Sequence, residues 1–507
     1  MKVSPSEDEF HKVSAELTKP CIVPLIAELP RQKFGPVEAY AILSKGQPRS
    51  FLLESAEGIG RIARYSFIGT DPLLMLNMKN GDIEVGGEGK LKEMAETSVK
   101  KIKDEDPVDV VKKAFLFGRI STPELKEPRF ICGPVGYFSY DIVRSMVHIG
   151  EKTTDDLCHP DAEFMLGKNT VVFDHEKRKS FICSNALIFE TSEPRKVYAN
   201  SLREIEVKVK QLEKIGPLPH LRMDAEPTMD VKSGISRPEF IGAVKSAEGH
   251  IDRGDILQIV LSRRMEINLR CDPYLVYLAF REINPSPYMY YIDFGPRKII
   301  GSSPETLVRV EGGNVMTRPI GGTRRRGKDV EEDREIEKKL LGDRKEREEH
   351  MMLVHLGRED ISKVAKVGSV KVEDFMAIER YSHVMHIVST VSGSLRDGKD
   401  EFDALRANFP AGTVVGAPRL RAMEIIEELE PTRRGIYAGG VGYFDYRNRM
   451  DFAIIIRTIV AENEKAYVQA GAGIVSRSVP ELEFYETENK SKALLKAIAI
   501  AEASSGR

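Results

Sequence analysis

The sequence predicts an α+β protein whose antiparallel sheets pack together and are flanked by helices. Short runs typical of β-strands, such as RSFLLES, TVVFDHE and KSFICSNALIFE, are separated by polar loops in the first half of the chain. The second half contains longer strand-like runs together with amphipathic helices. A strict alternation of strands and helices is missing, and this disfavours a doubly wound parallel fold.

The composition is that of an ordinary globular protein and excludes several classes of partner. Charged residues make up 30% and hydrophobic residues 41% of the 507 positions, with a formal net charge of -2. Because no strongly basic block and no apolar run of about 18 residues occurs, we expect no nucleic-acid partner and no membrane partner. The beginning, MKVSPSEDEF, lacks a secretory signal, so we predict a cytoplasmic protein with reduced thiols at Cys21, Cys132, Cys158, Cys183 and Cys271.

A segment rich in proline and polar residues, 214–234, divides the chain into two predicted regions, 1–214 and 235–507. Both regions contain the core VGYF-Y, in GPVGYFSYDIV (133–143) and in GGVGYFDYRNR (439–449). So short a match can arise by chance. The alternative is that each half contributes a similar sheet to a pseudo-symmetric body.

The second region begins with a predicted helix, because Ser236 and Glu239 have the S-x-x-E spacing of a capping box. A mostly polar stretch, 327–349, leads into a further amphipathic helix. Six runs rich in β-branched and aromatic residues are predicted strands: GDILQIVLS, YMYYIDFG, KIIGSS, HVMHIVSTVSG, DFAIIIRTIV and AYVQAGAG.

The last predicted helix carries charged residues on its apolar face. Its start is predicted at Ser478 and Glu481, which again have capping-box spacing. At roughly 100° per residue, Glu483, Glu486 and Lys490 lie on the same side of this helix as Leu482, Ala493, Leu494, Ala497, Ile498 and Ile500.

A second helix repeats this arrangement, with Glu346 and Glu349 on the same face as Leu353 and Leu356. Either pair of glutamates alone is typical of a solvated helix surface. Two such pairs on apolar faces indicate a shared cation, because an unpaired buried carboxylate is costly. Mg²⁺ is the expected ion, since it binds one or two carboxylates and keeps waters or substrate oxygens. Zinc is disfavoured by the absence of HExxH and by the spacing of His350, His355, His383 and His386.

Three further polar residues stand out, and each has two interpretations. Arg457 lies in the apolar run DFAIIIRTIV, so its guanidinium binds either an internal carboxylate or an anionic ligand. Gln258 in GDILQIVLS is either a hydrogen-bonded core amide or a site residue. Glu305 is either a capping residue or, if its pKa is raised, a general acid.

Two glycine-rich segments, 321–327 and 469–476, are predicted loops whose backbone N–H groups can approach an anion. Either is also typical of an ordinary turn, and neither has the GxGxxG pattern of a dinucleotide site. Together these features predict an Mg²⁺ ion between two helices, facing an arginine and glycine-rich loops. Such a site suits a small substrate with at least two anionic groups.

The second half of the chain contains, in this order, PIGGTRRRG, KEREEHMMLV, RYSHVMH, AGTVVGAPRLRAM, YAGGVGYF, IIIRT, QAGAGIV and ELEFYETENK. These motifs resemble those of the chorismate-utilising enzymes, most closely the anthranilate synthase large subunits. The first half resembles the same family through LLESAEGIGRIARYSFIG (52–69). The resemblance implies an α/β sandwich of two sheets, a regulatory region in 1–214 and a chorismate-binding catalytic domain in 235–507. It also implies Mg²⁺-dependent attack of ammonia on chorismate.

The resemblance also implies a role for each motif residue. Glu349 and Glu486 match the Mg²⁺ ligands, with Glu346 and Glu483 nearby through water. The residues that match the substrate-binding positions are Gly322, Thr323, Tyr437, Arg457, Gly471, Ala472, Gly473 and Lys490.

The implied catalytic residues are Glu305, His386 and Gln258. Glu305 would protonate the departing C4 hydroxyl as ammonia adds at C2, and His386 would assist as pyruvate leaves. Relatives that add water have Lys where this chain has Gln258, and aminodeoxychorismate synthases have Lys where it has Gly321. Both lysines are missing, so anthranilate formation is favoured; aminodeoxychorismate synthesis and a silent, ligand-binding subunit are the alternatives. His355 departs from the family's pattern, as does Glu359.

LLES and NPSPYM resemble the family's regulatory tryptophan site, which implies a pocket lined by Glu54, Ser55, Pro287, Tyr288 and Met289. None of the five cysteines lies in the G-x-C-x-G setting of an amidotransferase nucleophile. Use of glutamine would therefore require a separate glutamine amidotransferase small subunit that delivers ammonia, and we expect a hetero-oligomer.

Overall fold

The structure is a computed structural model, and it describes residues 2–30, 34–47, 49–55, 64–100, 106–125, 128–381 and 384–506. Parts of two predicted motifs, 56–63 and 382–383, lie outside the described residues, and so does His383.

The α-helices of the described ranges differ widely in length, and short 3₁₀ turns lie at Tyr140–Ile142 and Gly412–Val414. The helices are α1 (Glu7–Glu16), α2 (Pro36–Leu43), α3 (Gly89–Val99), α4 (Pro107–Ala114), α5 (Val143–Met146), α6 (Pro194–Leu212), α7 (Arg237–Asp252), α8 (Pro273–Ile283), α9 (Val330–Gly342), α10 (Arg344–Ser362), α11 (Glu401–Asn408), α12 (Arg419–Leu429) and α13 (Pro480–Ser504).

The strands are β1 (Val3–Ser4), β2 (Cys21–Glu28), β3 (Ser50–Glu54), β4 (Tyr65–Lys79), β5 (Asp82–Gly87), β6 (Pro134–Phe138), β7 (Ala162–Asp174), β8 (Lys179–Ile188), β9 (Val231–Ser233), β10 (Gln258–Asn268), β11 (Tyr288–Asp293), β12 (Arg297–Ser303), β13 (Thr306–Glu311), β14 (Asn314–Thr317), β15 (Ile320–Arg325), β16 (Lys371–Arg380), β17 (Val384–Ser394), β18 (Gly416–Ala417), β19 (Gly440–Asp445), β20 (Arg449–Ile454), β21 (Thr458–Glu462) and β22 (Lys465–Ile474).

Two long strands, β4 and β7, pair with each other and connect two arms of antiparallel sheet. One arm runs from β4 through β3, β11, β12, β21, β22 and β10. The other runs from β7 through β6, β19, β20, β13, β14 and β17. These named strands pair with one another only in the antiparallel sense, which confirms the predicted α+β class with mostly antiparallel sheets.

The repeated VGYF motifs lie side by side. They form β6 and β19, which pair with each other so that Gly136 lies opposite Gly442. A Cβ at Gly136 would lie 2.0 Å from the Glu163 carbonyl oxygen, so the close approach of neighbouring strands requires glycine there. The two halves of the chain therefore contribute matching strands to one arm, while the division at 214–234 stays a prediction.

The buried side chains form two large clusters. The first lies between the two arms and contains Phe138, Phe444 and Phe452, with the Phe444 and Phe452 ring centroids 4.9 Å apart. The second packs helices, including α8 and α13, against the outer side of the first arm through residues such as Tyr277 and Leu494. Burial of these apolar faces is the main favourable contribution to folding. None of the helices in the described ranges is long and apolar enough to span a membrane.

The structure corrects the prediction of one central strand over DFAIIIRTIV. The chain forms β20 and β21 with a break at 455–457, and Arg457 lies in the left-handed region with φ of 51°. Ile455 exchanges backbone hydrogen bonds with Ala438 and Gly439, and the Ser302 N–H donates to the Arg457 carbonyl. These bonds replace the ladder that a continuous strand would form.

The loop predicted at 321–327 was wrong, because 320–325 forms β15. The loop interpretation of 469–476 was also wrong, whereas the strand predicted for AYVQAGAG is confirmed by β22 (Lys465–Ile474). At Gly471, a Cβ would lie 2.7 Å from the Tyr437 hydroxyl. The glycine there serves close packing against a side chain, a role that sequence pattern alone does not separate from a turn.

The helix-start predictions had different outcomes. Ser236 caps α7 and forms the expected capping box with Glu239. The capping box predicted at Ser478 and Glu481 was wrong, because α13 starts at Pro480 and the Ser478 hydroxyl accepts a hydrogen bond from the Val475 N–H. Leu482 was also misplaced: it is 62% exposed, and Phe484, Thr487, Ser491 and Leu494 form the buried stripe.

Candidate active site

Glu305 occupies the short link between β12 and β13 and is 7% exposed. Its carbonyl accepts a hydrogen bond from the Ile454 N–H, at the end of β20. Burial raises the pKa of its carboxyl from 4.5 to about 8, and the neighbouring Thr413 hydroxyl partly offsets this rise. Glu305 therefore caps no helix and carries a proton at neutral pH, as a general acid requires.

Arg457 lies in the break between β20 and β21, beside the strand end that leads to Glu305. Burial lowers the pKa of its guanidinium. Within the described ranges no carboxylate forms an ion pair with it, which disfavours the interpretation as half of an internal ion pair. A desolvated guanidinium of this kind is suited to binding the carboxylate of a ligand in a fork geometry.

His386 lies opposite Thr323 where β15 pairs with β17, and its Nδ1 is 2.9 Å from the Thr323 hydroxyl. Burial lowers the pKa of the imidazole, and the nearby positive charge of Arg457 lowers it further. His386 is therefore neutral at pH 7 and can accept a proton. The electrostatic effect of Arg457 on the imidazole also shows that His386 and Arg457 lie near each other.

The end of β22 forms another side of the site. The Lys490 Nζ donates to the Gly471 carbonyl at 2.8 Å and pairs with Glu486 at 2.7 Å. Burial raises the pKa of Tyr437 to about 12, so its hydroxyl keeps its proton and can donate a hydrogen bond. Tyr437, Gly471 and Lys490 are thus adjacent, as the sequence predicts.

Gln258 begins β10 and lies against the same strand end. A Cβ on Gly473 would lie 3.0 Å from the Gln258 Nε2, and the next residue along β10 pairs with Ile474. Ala472 lies between the two glycines and is fully buried. The structure therefore brings Gln258 together with Gly473, and its half-buried side chain belongs to the edge of the site.

The helix α10 packs against β15 and aims carboxylates at it. A Cβ at Gly322, where φ is 58°, would lie 3.0 Å from the Glu346 Oε2. The other Glu346 oxygen accepts a hydrogen bond from Arg324 at 2.7 Å. Glu349 lies one turn further along α10, 3.6 Å from the Lys345 Nζ.

Carboxylates of α10 and α13 interact electrostatically. Burial raises the pKa of Glu349, and the negative charges of Glu346 and Glu486 add to the rise. Burial likewise raises the pKa of Glu483, with a contribution from Glu486, while Lys345 of the facing helix opposes it. The half-buried acidic groups of the two helices therefore lie close enough to interact, and a cation between them would stabilise them.

This donor set fits Mg²⁺. Among the described residues no three histidine, cysteine or acidic side chains converge as a preformed metal cluster. Mg²⁺ does not need one, since it binds one or two carboxylates and completes its octahedron with water or substrate oxygens. The negative charge of Glu486 contributes to the raised pKa of Glu349, so the two carboxylates lie near each other.

A separate pocket brings together all five residues predicted for the regulatory site, Glu54, Ser55, Pro287, Tyr288 and Met289. The strands β3 and β11 form its wall, with Glu54 opposite Met289. The Glu54 carboxylate accepts hydrogen bonds from Tyr277 at 2.6 Å and from Arg281 at 3.0 Å. An apolar pocket with one polar edge suits a planar aromatic ligand.

Comparison with known proteins identifies the family of the chain. A family model described as chorismate binding enzyme matches residues 71–496. The chain belongs to the chorismate-binding enzyme family. Anthranilate synthase component 1 of Aquifex aeolicus is 44% identical over 505 residues, which cover 99% of each chain. Anthranilate synthase component 1 of Thermus thermophilus is 43% identical over 472 residues, covering 92% of this chain and 96% of that protein.

Two solved structures have a similar fold. The crystal structure of anthranilate synthase component I from Streptococcus pneumoniae superimposes with a TM-score of 0.74 at 36% identity, covering 87% of this chain and 93% of that one. The menaquinone-specific isochorismate synthase from Escherichia coli has a TM-score of 0.68 at 19% identity, covering 97% and 98% of the two chains. The second likeness concerns the fold alone.

Sequence reasoning missed three residues that shape this family site. Thr413 contacts the acid Glu305 and lies inside the motif AGTVVGAPRLRAM, so the motif itself was the available signal. Arg434 and Glu430 form a buried ion pair behind the site. Their spacing of four residues is common on exposed helices, so no local pattern distinguishes them.

Proposed function

We propose that this chain converts chorismate and ammonia to anthranilate and pyruvate, as the large component of an anthranilate synthase. The observation that carries the proposal is Arg457, a desolvated guanidinium without an ion-pair partner in the described ranges. Its charge reaches the neutral His386, and it follows the strand end that donates a hydrogen bond to the carbonyl of the protonated Glu305. Chorismate has two carboxylates and a hydroxyl leaving group, and these match an arginine, a cation site and a general acid. The relatives' names support the same reaction.

In this proposal, each side chain of the site has one task in the reaction. Arg457 and Tyr437 hold the enolpyruvyl side chain, and the backbone of β15 and β22 fits closely around the ring. As ammonia adds at C2, Glu305 donates its proton to the C4 hydroxyl, which leaves as water. His386 then accepts the C2 proton while the enolpyruvyl group leaves and takes up a proton to become pyruvate, and the ring becomes aromatic.

Glu349 and Glu486 would hold Mg²⁺, with Glu346 and Glu483 behind them through water. Bound there, the ion would neutralise the ring carboxylate and fix the orientation of the substrate. Lys490 balances the excess negative charge, and its bond to the Gly471 carbonyl ties α13 to β22.

Two finer parts of the proposal concern partners and control. The relatives are named as component 1, which supports a second component, and we propose a glutamine amidotransferase subunit that supplies ammonia. We also propose that tryptophan binds the pocket between β3 and β11 and inhibits the enzyme. The mostly apolar pocket beside Glu54, which contains all five predicted residues in its lining, supports this assignment.

The deciding experiment measures anthranilate fluorescence from the purified chain with chorismate, an ammonium salt and Mg²⁺, with and without tryptophan. Anthranilate that requires Mg²⁺ and is suppressed by tryptophan is the expected result. Anthranilate formation that ignores tryptophan would remove the regulatory assignment alone. Release of a non-aromatic amino product would instead indicate aminodeoxychorismate synthesis, and no conversion by the folded chain would refute the proposed enzyme.

A further inference from the structure

We propose that Arg434 and Glu430 form a buried positioning pair that holds three sides of the active site in register without contacting the substrate. This inference rests on the function proposed above. It concerns residues behind Tyr437, where a guanidinium and a carboxylate are almost completely buried: the Arg434 side chain is 1% exposed and that of Glu430 is 5% exposed.

The guanidinium uses its donors on three separate segments. Its Nε and Nη2 donate to the two Glu430 oxygens at 2.9 and 2.7 Å, a bidentate pair. Its Nη1 donates to the Val414 carbonyl and its Nη2 to the Val260 carbonyl, both at 2.7 Å. A lysine has no planar fork and cannot reach these acceptors together, so arginine is specifically required.

Two of the segments bound in this way lie beside the proposed site. Val414 follows Thr413, whose hydroxyl lies near enough to the Glu305 carboxyl to affect its pKa. Val260 lies two residues after Gln258 on β10. The guanidinium carbon also lies 5.7 Å from the centre of the Tyr437 ring and 5.0 Å from that of Tyr140.

Glu430 extends the network to the strand that faces the glycine-rich end of β22. One of its oxygens accepts hydrogen bonds from the Ser262 N–H at 2.7 Å and from the Ser262 hydroxyl at 2.9 Å. Ser262 pairs with Gly471, the residue against which the Tyr437 hydroxyl packs. The Gln469 side-chain amide donates to the same hydroxyl.

A buried ion pair contributes little net stability when compared with an apolar core of equal volume. The pair at Arg434 instead joins the Thr413 and Gln258 segments beside the Tyr437 ring, where a displacement of about 1 Å can reduce turnover about 100-fold. Since neither side chain reaches the site, both act through the residues they hold.

The test is Arg434→Lys, with Arg447→Lys as the matched control. Arg447 is also buried, pairs with Asp445 at 2.6 Å and donates to backbone carbonyls, including that of Leu125, and none of these partners belongs to the proposed site. Turnover, KM for chorismate and the pH profile of turnover are measured for both variants and the unaltered chain. Circular dichroism and thermal unfolding establish that each variant is folded.

We expect Arg434→Lys to reduce turnover about 100-fold and to move the alkaline limb set by Glu305, because the Thr413 segment loses its anchor. Arg447→Lys should lower thermal stability while its pH profile stays unchanged. Equal profiles in the two variants would overturn the positioning role. If Arg434→Lys does not fold, Glu430→Gln is measured instead, because it keeps the shape of the side chain and one acceptor. The same fall in turnover and the same change of pH profile are then expected. A wild-type chain that makes no anthranilate would refute the proposed function instead.

Discussion

Replacing Glu305 by glutamine tests the acid on which the proposed reaction depends. The substitution keeps the size and polarity of the side chain but removes the proton that the departing hydroxyl needs. A positioned general acid contributes about 10²- to 10⁴-fold, so turnover should fall by that factor. The KM for chorismate should change little, because the carboxyl is not among the groups proposed to hold the substrate.

The pH dependence follows from the raised pKa of Glu305. With a pKa of about 8, the wild-type turnover should be flat near neutrality and fall about tenfold per pH unit above 8. The folded state holds this proton more tightly than the unfolded chain, so the associated stability is complete below pH 4.5 and is lost as the pH rises to about 8. The rise in pKa from 4.5 to about 8 corresponds to at most about 5 kcal/mol of the free energy of unfolding.

The assay combines anthranilate fluorescence between pH 6 and 10 with urea unfolding at pH 5 and pH 9. Glu305→Gln should lose the alkaline limb and should be more stable than wild type at pH 9 only. Glu401→Gln is the control, since Glu401 is 3% exposed at the start of α11 and burial raises its pKa to about 7. It should reproduce the gain in stability at pH 9 with unchanged turnover. Turnover of Glu305→Gln within fivefold of wild type would refute the assignment.

Three further substitutions test the remaining groups. Arg457→Met should raise the KM for chorismate at least tenfold, since a charged hydrogen bond is worth about 1.5–3 kcal/mol; an unchanged KM in steady-state kinetics would contradict the carboxylate contact. Glu486→Gln should abolish Mg²⁺-dependent turnover. The control Glu481→Gln, on the exposed face of α13, should keep that turnover. Mg²⁺ titration by calorimetry separates a loss of Mg²⁺ binding from a loss of catalysis. Ser55→Phe should relieve tryptophan inhibition without loss of activity. A variant that is half-inhibited at the same tryptophan concentration as the wild type would rule out the proposed pocket.

Local sequence patterns predicted the structure correctly where the interactions that produce it are between neighbouring residues. The capping box at Ser236 and Glu239 involves only neighbouring atoms, and the structure forms it as predicted. The period of apolar residues likewise predicted strands such as β11 and β17, because burial of one strand depends mainly on its own side chains. The motif order predicted the family, and the comparisons confirm it.

The same reasoning failed where distant segments compete for one backbone group. DFAIIIRTIV has the pattern of one strand, yet Gly439 and Ser302 bind its middle and break it. The glycine-rich composition of QAGAG left both a strand and a loop open, and pairing with β10 along its length makes it a strand. Ser478 has the spacing of a cap, yet its hydroxyl is bound by Val475.

The sequence by itself therefore determined the class of fold, the family and which residue types a chorismate site would need. Only the tertiary structure decided that Arg457 has no internal partner in the described ranges, that burial keeps Glu305 protonated, and that Arg434 joins three segments of the site. The physical reason is that burial and hydrogen-bond competition depend on groups hundreds of residues apart, and no local pattern encodes which of them meet.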